Sequence, residues 1–157
     1  MAEDNNPERV WDLIEKIRFC MLATSDGKDI RSRPMTAHAQ RDENALYFLL
    51  DLKDHKNLKA FANSCLAFAD PGKMDFVSVT GAGEISNDRA RIEELWSSPY
   101  KAFCDGPQDP DIRVLKITPK DAQYWDGAGK LVTYTRMLAA AVSDAKPDLG
   151  DHGKVRM

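Results

Sequence analysis

The sequence predicts a mainly β protein, a closed or partly closed antiparallel β-barrel with a few α-helices. Short strand-like runs of β-branched and aromatic residues recur along the chain. Clusters of Gly, Pro, Asp and Ser separate these runs, as turns between antiparallel strands require. Few segments show the spacing of an amphipathic helix, and those are short.

The first half of the chain predicts a helix followed by three strands. Asn6 can cap a helix that begins at Pro7 and carries apolar residues at helical spacing. Residues 19–24 and 30–39 are predicted to pair as a β-hairpin across a turn of Ser, Asp, Gly and Lys. Residues 45–50 form the third predicted strand.

The rest of the chain is predicted to complete the barrel. Gly81 and Gly83 fall inside a strand, which indicates bending or the close approach of another backbone. Pro119 interrupts the last strand, whose continuation at 122–125 extends the sheet. The predicted strands lie at residues 65–69, 76–85, 112–118 and 122–125. Three further helices are predicted: a short helix that Asp54 caps and that buries Leu58, Phe61 and Ala62, a helix capped by Asn87 or Asp88, and a helix at 131–142.

The length and composition fit one globular domain. The chain has 157 residues, 43% hydrophobic and 30% charged, which is enough to bury a core without disulfides or metals. We expect one domain over residues 1–143 and a flexible polar tail over 144–157. The net charge of −3 lacks the basic surplus of a general nucleic-acid or anionic-membrane binder. Any anion site must therefore be local.

The cysteines and the N-terminus indicate the cellular compartment. Cys20, Cys65 and Cys104 are an odd number of cysteines, far apart in apolar surroundings, which is typical of reduced core thiols. Glu3 and Asp4 stand where a secretory signal carries basic residues, and no run approaches the ~18 apolar residues of a membrane span. We expect a cytoplasmic protein without a membrane or nucleic-acid partner.

Residues 31–36, with the sequence Arg-Ser-Arg-Pro-Met-Thr, are the most informative stretch. In a strand, Arg31, Arg33 and Met35 share one face, because side chains alternate with a period of two. Pro34 cannot donate to a ladder, which places this strand at an edge or a bulge. A flat anionic ligand along the strand would explain both features; the alternative is an edge strand with a solvated basic face.

His55 and Lys56 form a second candidate anion site. They fall in the first turn of the helix that Asp54 is expected to cap, where free backbone N–H groups and the helix dipole favour an anion. If the second and third strands pair, Arg33 also approaches this turn. The alternative is that Lys56 merely faces water.

Trp125 ends a late strand and is the third candidate. A tryptophan there can cover a flat heteroaromatic ring, although large aromatic residues in small barrels more often pack in the core. No dinucleotide, P-loop or nucleophile-elbow motif is present, and His38, His55 and His152 lack the spacing of metal ligands. The sequence therefore gives little support to a hydrolase or a metalloenzyme.

Taken in order, these motifs resemble the pyridoxamine phosphate oxidase-like flavin-binding split barrels, and in particular their general stress protein branch. The likeness covers roughly residues 10–129, and its strength lies in the order and spacing of loose motifs. The motifs are Cys20-Met21-Leu22-Ala23-Thr24 before a turn, Arg33-Pro34-Met35, Leu46-Tyr47-Phe48, Lys56-Asn57-Leu58, Val77-Ser78-Val79-Thr80-Gly81 and Tyr124-Trp125.

The resemblance implies a six-stranded antiparallel split barrel that forms a homodimer and binds FMN in clefts at the dimer interface. It places Arg33, Pro34, Met35 and Thr36 beside the flavin ring and ribityl chain, and Leu49 and Leu50 of the third strand along the cleft. It also places His55 and Lys56 at the phosphate, and Trp125 where a tryptophan reaches the flavin from the other subunit.

Two departures from the oxidase itself limit what the resemblance implies. Leu131 and Thr133 stand where the oxidase has an Arg-x-His pair for the vitamin phosphate, and Phe76 replaces a glutamine that meets the flavin. We therefore expect an FMN-dependent oxidoreductase of the general stress type that does not oxidise vitamin B6. The alternatives are a non-catalytic module for flavin, haem or deazaflavin, and a barrel that has lost its ligand.

Overall fold

The computed structural model describes residues 6–97, 105–127, 130–142 and 150–157, with the backbone alone over 130–134. Eight strands and three α-helices lie within these ranges. The elements are α1 (Pro7–Ile17), β1 (Phe19–Ser25), β2 (Ile30–Thr36), β3 (His38–Gln40), β4 (Ala45–Asp51), β5 (Asn63–Asp70), β6 (Asp75–Ser86), α2 (Arg89–Leu95), β7 (Ile112–Gly127), α3 (Lys130–Val142) and β8 (Gly150–Arg156), with 3-10 helices at Arg41–Glu43 and Leu58–Ala62.

The strands form one antiparallel sheet in the order β2-β1-β5-β6-β7-β4-β3, with β8 paired to β7. β2 and β3 lie at opposite ends of this order, yet only Ala37 separates them in the chain. The sheet must therefore curl until its two ends meet at Ala37, which makes it a barrel. We call the gap between β2 and β4 the seam, because β2 pairs with β1 alone. The prediction of a mainly β antiparallel split barrel is confirmed.

The strand count is eight where six were expected, for two local reasons. The predicted strand at 30–39 is divided at Ala37, whose backbone N–H donates to the carbonyl of Arg18, 2.8 Å away, instead of to a neighbouring strand. The predicted flexible tail is wrong over Gly150–Arg156, which pair with the end of β7 and bury Val155. Residues 143–149 lie outside the described part of the chain.

The core fills the inside of the barrel, and α1 closes over it. Val10, Leu13 and Ile14 of α1 belong to the same buried cluster as Leu22 and Leu66 of the sheet. The helix begins as predicted, with Pro7 in its first turn and the Asn6 side chain accepting a hydrogen bond from the Arg9 backbone N–H. A smaller buried cluster lies where α2 packs against β4 and β7.

The segment after β4 differs from the prediction. Residues 52–54 form a turn, residues 55–57 are irregular, and Leu58–Ala62 is a 3-10 helix with no side-chain cap. Asp54 is therefore not a helix cap, and Ala62 is exposed rather than buried. The 3-10 helix packs against β6 at Gly83, where a side chain would collide with the Phe61 carbonyl. The close approach of another backbone that the sequence predicts at Gly83 is therefore confirmed.

Candidate functional site

Arg33 turns inward at the seam instead of facing water. It pairs with Leu22 across the β1–β2 ladder, and its guanidinium lies over the ring of Phe61, with 5.0 Å from Cζ to the ring centre. Nη2 donates to Thr24 Oγ1 at 3.0 Å, and Nη1 donates to the Leu22 carbonyl at 3.4 Å. These acceptors are neutral, and no described carboxylate forms an ion pair with this guanidinium. Its positive charge remains available to an anion.

His55 reaches the same aromatic ring from the other side of the seam. Its imidazole meets Phe61 edge to face, with ring centres 5.7 Å apart. Burial lowers the pKa of His55, and the charge of Arg33 lowers it further, while Asp54 and Asp51 act in the opposite direction. His55 is therefore neutral at pH 7 and offers a hydrogen bond rather than a charge. Phe61 thus brings together two of the predicted site residues.

Lys56 is exposed and lies in the irregular segment before the 3-10 helix. The prediction that His55 and Lys56 lie in the first turn of a helix is therefore wrong, because the 3-10 helix begins only at Leu58. The predicted second strand reaches the third only through β3, since β2 pairs with β1 alone. Arg33 nevertheless approaches this segment, through Phe61 instead of through strand pairing.

The predicted alternation holds over Arg33, Pro34 and Met35, whereas Arg31 is exposed. Met35 is half-buried and packs against the core on the face that carries Arg33, whereas Pro34 lies opposite Met21 on the other face. Thr36 is half-buried at the end of the strand. Because β2 is an edge strand, Pro34 leaves no gap in a ladder, as the sequence predicted.

Leu49 and Leu50 cannot line one cleft together. They lie on opposite faces of β4: Leu49 packs with the cluster beneath α2, and Leu50 is 1% exposed in the barrel core. The side chain of Leu50 is therefore not available to a ligand at the seam.

Trp125 lies away from the seam within one chain. It stands at the end of β7 that pairs with β8, whereas β4 pairs with the opposite end of the same strand. Its side chain is 39% exposed. The indole stacks on the imidazole of His152 in β8, with ring centres 4.9 Å apart and ring planes 9° apart. His152 Nε2 is buried and has no hydrogen-bond partner among the described residues.

The sequence pattern does not predict His152 as a site residue, because it falls in the segment expected to be flexible. The segment Gly-Asp-His-Gly-Lys-Val-Arg contains one apolar residue, Val155, so its sequence carries no strand pattern. The structure therefore adds this residue to the surroundings of Trp125.

Charged residues of α1 hold the strand end that carries Trp125. The Asp75 carboxylate is buried, accepts a hydrogen bond from the Gly127 N–H at 3.0 Å and pairs with Lys16 Nζ at 3.3 Å. Arg9 forms an ion pair with Asp126, the residue that follows Trp125. Contacts from α1 and β6 thus hold the end of β7 that carries Trp125.

The cysteines offer no reactive centre in the described residues. Cys20 and Cys65 are free thiols, and burial raises the pKa of Cys20 to about 12, which keeps it protonated. Cys104 lies outside the described part of the chain.

No described helix has the length and apolar character to cross a bilayer.

Comparison with known proteins identifies the family of this chain. The sequence profile of the family described as "Pyridoxamine 5'-phosphate oxidase like" matches residues 5–148. The chain belongs to the pyridoxamine 5'-phosphate oxidase-like family. It is 25% identical over 139 residues to general stress protein 26 of Bacillus subtilis (strain 168), covering 83% of this chain and 95% of that protein.

Solved structures of other family members have the same fold. A protein of the general stress protein 26 type from Jannaschia sp. CCS1 superposes with a TM-score of 0.75 and 28% identity, covering 95% of this chain and 96% of its own. The general stress FMN/FAD binding protein of Xanthomonas citri gives a TM-score of 0.64 and 27% identity over 76% of this chain and 87% of its own. The resemblance to the general stress branch is confirmed.

Proposed function

We propose that this chain binds FMN at the seam, with the flavin phosphate near Arg33, His55 and Lys56. The observation that carries the proposal is the packing of Arg33 and His55 on Phe61, which holds an unneutralised guanidinium and a neutral imidazole at one opening. The similar protein from Xanthomonas citri is described as FMN/FAD binding, which supports a flavin. Charge-assisted hydrogen bonds suit a phosphate.

The flavin ring would lie along β2. An edge strand has backbone N–H and C=O groups without a ladder partner, and these can meet the polar edge of a flat ring. Pro34, Met35 and Thr36 provide this edge in the proposal, and the backbone of Leu49 and Leu50 faces it across the seam. The chain's role is to bind and orient; a bound flavin supplies the redox chemistry.

The proposal includes a homodimer. Trp125 does not join Arg33 and His55 of its own chain, since it stands at the end of β7 that pairs with β8, whereas β4, which borders the seam, pairs with the opposite end of β7. The partner subunit's Trp125 would complete the site instead. An exposed tryptophan whose other ring face is covered by His152 is suited to such a contact.

We further propose a flavin-dependent oxidoreductase of the general stress type, acting in the cytoplasm, rather than a vitamin B6 oxidase. Leu131 and Thr133 replace the cationic pair with side chains that carry no charge. The competing function is a module that binds flavin, haem or deazaflavin without turnover.

The absorbance spectrum of the purified full chain tests the proposal. Flavin bands, with FMN released on heating, are expected. A colourless protein that does not bind added FMN would contradict the proposal, and a haem or deazaflavin spectrum would replace FMN with that ligand. Reduction of the bound flavin by NADH or NADPH, followed by reoxidation, would separate an enzyme from a passive carrier.

A further inference from the structure

A groove of about 420 Å³ lies apart from the seam, between the 3-10 helix at Leu58–Ala62 and the ends of β6 and β7. Its volume falls within the range of small-molecule sites. None of the nine residues that the family resemblance implies for the flavin lines it. The lining residues are Leu58, Lys59, Ala62, Gly83, Ile85, Ser86, Asn87 and Arg113.

The lining of the groove is partly apolar and partly basic. Leu58, Ala62 and Ile85 provide aliphatic surface, while Arg113 and Lys59, which is exposed at the rim, provide two cations. No described carboxylate forms an ion pair with Lys59 or Arg113. By contrast, Arg41 is paired with three carboxylates of α1.

Arg113 is held in place by neutral acceptors. Its Nη1 donates to the carbonyls of Pro110 at 2.7 Å and Ile112 at 2.8 Å, and to Asn87 Oδ1 at 3.4 Å. Carbonyl and amide oxygens orient a guanidinium without cancelling its charge. This is the arrangement expected of a cation that is fixed in advance for an anion.

A second guanidinium strengthens the positive field. Arg89 Nε donates to the same Asn87 Oδ1 at 2.8 Å, and its remaining hydrogen bonds go to backbone carbonyls. Asp109 lies within electrostatic range of Arg89, but its carboxylate accepts the backbone N–H groups of Asp105 and Asp111. The positive charge near Asn87 is therefore only partly balanced.

We propose that this groove binds a small organic anion with a flat apolar body, in a site separate from the flavin. The aliphatic residues of the lining contact the body, and Lys59 and Arg113 bind its carboxylate or phosphate group. Phe61 separates the two sites, because its ring packs at the seam while its neighbours Leu58 and Ala62 line the groove. The proposal does not depend on flavin binding.

Calorimetric titration of the full chain with 2-naphthoate and with its neutral analogue 2-naphthamide tests the proposal. We expect the naphthoate to bind more tightly, and Lys59→Gln and Arg113→Gln each to weaken it roughly tenfold while leaving the amide unchanged. Lys28→Gln removes a cation from the turn after β1 and serves as the matched control. If Arg113→Gln does not fold, Lys59→Gln on the exposed rim decides the question.

The titration is run with and without saturating FMN, because a flat anion also suits the seam. Naphthoate binding that persists with FMN present and responds to Lys59→Gln supports a separate site. Equal affinity for acid and amide, no response to Lys59→Gln, or complete displacement by FMN would each overturn the proposal.

Discussion

Arg33 lies over the ring of Phe61, 5.0 Å from Cζ to the ring centre, although the two residues come from β2 and from the segment after β4. The contact crosses the seam and places a cation where β2 lacks a second strand neighbour. Since His55 packs on the same ring, one buried phenylalanine positions both groups.

Lys56→Ala should weaken FMN binding more than riboflavin binding, because Lys56 is assigned to the phosphate and riboflavin has none. One lost charge-assisted hydrogen bond corresponds to about 1.5–3 kcal/mol, or roughly one to two decades in affinity. Fluorescence titration with both ligands measures the difference. Lys59→Ala, three residues along, is the matched control and should leave both affinities unchanged. Equal losses for the two flavins in Lys56→Ala would remove Lys56 from the phosphate site.

Acidification should destabilise the protein through His55. Because burial and Arg33 lower its pKa in the folded state, the unfolded chain binds more protons below the ordinary histidine pKa near 6.5. The free energy of unfolding therefore falls as the pH drops through this window, and stability is retained above it. Denaturant unfolding between pH 7.5 and 5 should show a smaller loss for His55→Gln than for the parent chain.

His38 provides a check on this assignment. Burial and Arg18 lower the pKa of His38 as well, so His38→Gln should reduce the same pH dependence, and the double variant should reduce it further. A His55→Gln protein that loses as much stability as the parent would contradict the folded-state environment described for His55.

Mixing two inactive variants should restore flavin sites if the partner's Trp125 completes the seam. Arg33→Gln and Trp125→Ala homodimers each lack one half of every site. Random subunit exchange makes half of the dimers mixed, and each mixed dimer has one intact site, so about a quarter of the sites should recover. Arg33→Gln mixed with Lys56→Ala is the control and should recover none. A monomer in sedimentation that binds FMN at full strength would refute the shared site.

His152 should control the orientation of Trp125. His152→Ala removes the stacked ring and should increase acrylamide quenching of Trp125 fluorescence, whereas His152→Phe keeps a flat ring and should restore protection. Trp125→Phe identifies the contribution of this tryptophan. Unchanged quenching in His152→Ala would mean that the stack does not restrain the indole.

The FMN-loaded protein should not oxidise pyridoxamine phosphate at a useful rate. Leu131 and Thr133 cannot provide the positive charges that a substrate phosphate requires, and losing two such contacts removes ~3–6 kcal/mol of binding, or two to four decades. Pyridoxal phosphate formation is followed by absorbance. Turnover comparable to that of an authentic oxidase would show that other residues hold the substrate.

Local pattern was sufficient for much of the fold. The N-cap of α1, the first hairpin, the edge position of Pro34 and the alternation of Arg33 with Pro34 each depend on a few neighbouring residues. Backbone conformation and strand periodicity act over this short range, so the sequence by itself determined them. The order and spacing of the motifs also determined the family, because both can be read directly from the sequence.

Tertiary structure alone decided where distant residues meet. The partner of Arg33 is Phe61, and the ring that covers Trp125 belongs to β8, a strand whose polar sequence shows little strand pattern. Gly150–Arg156 become a strand because β7 presents an unpaired edge there, and the segment after β4 becomes a 3-10 helix because it packs on Gly83. Such pairings depend on the closure of the sheet, and closure is a property of all strands together rather than of any one segment.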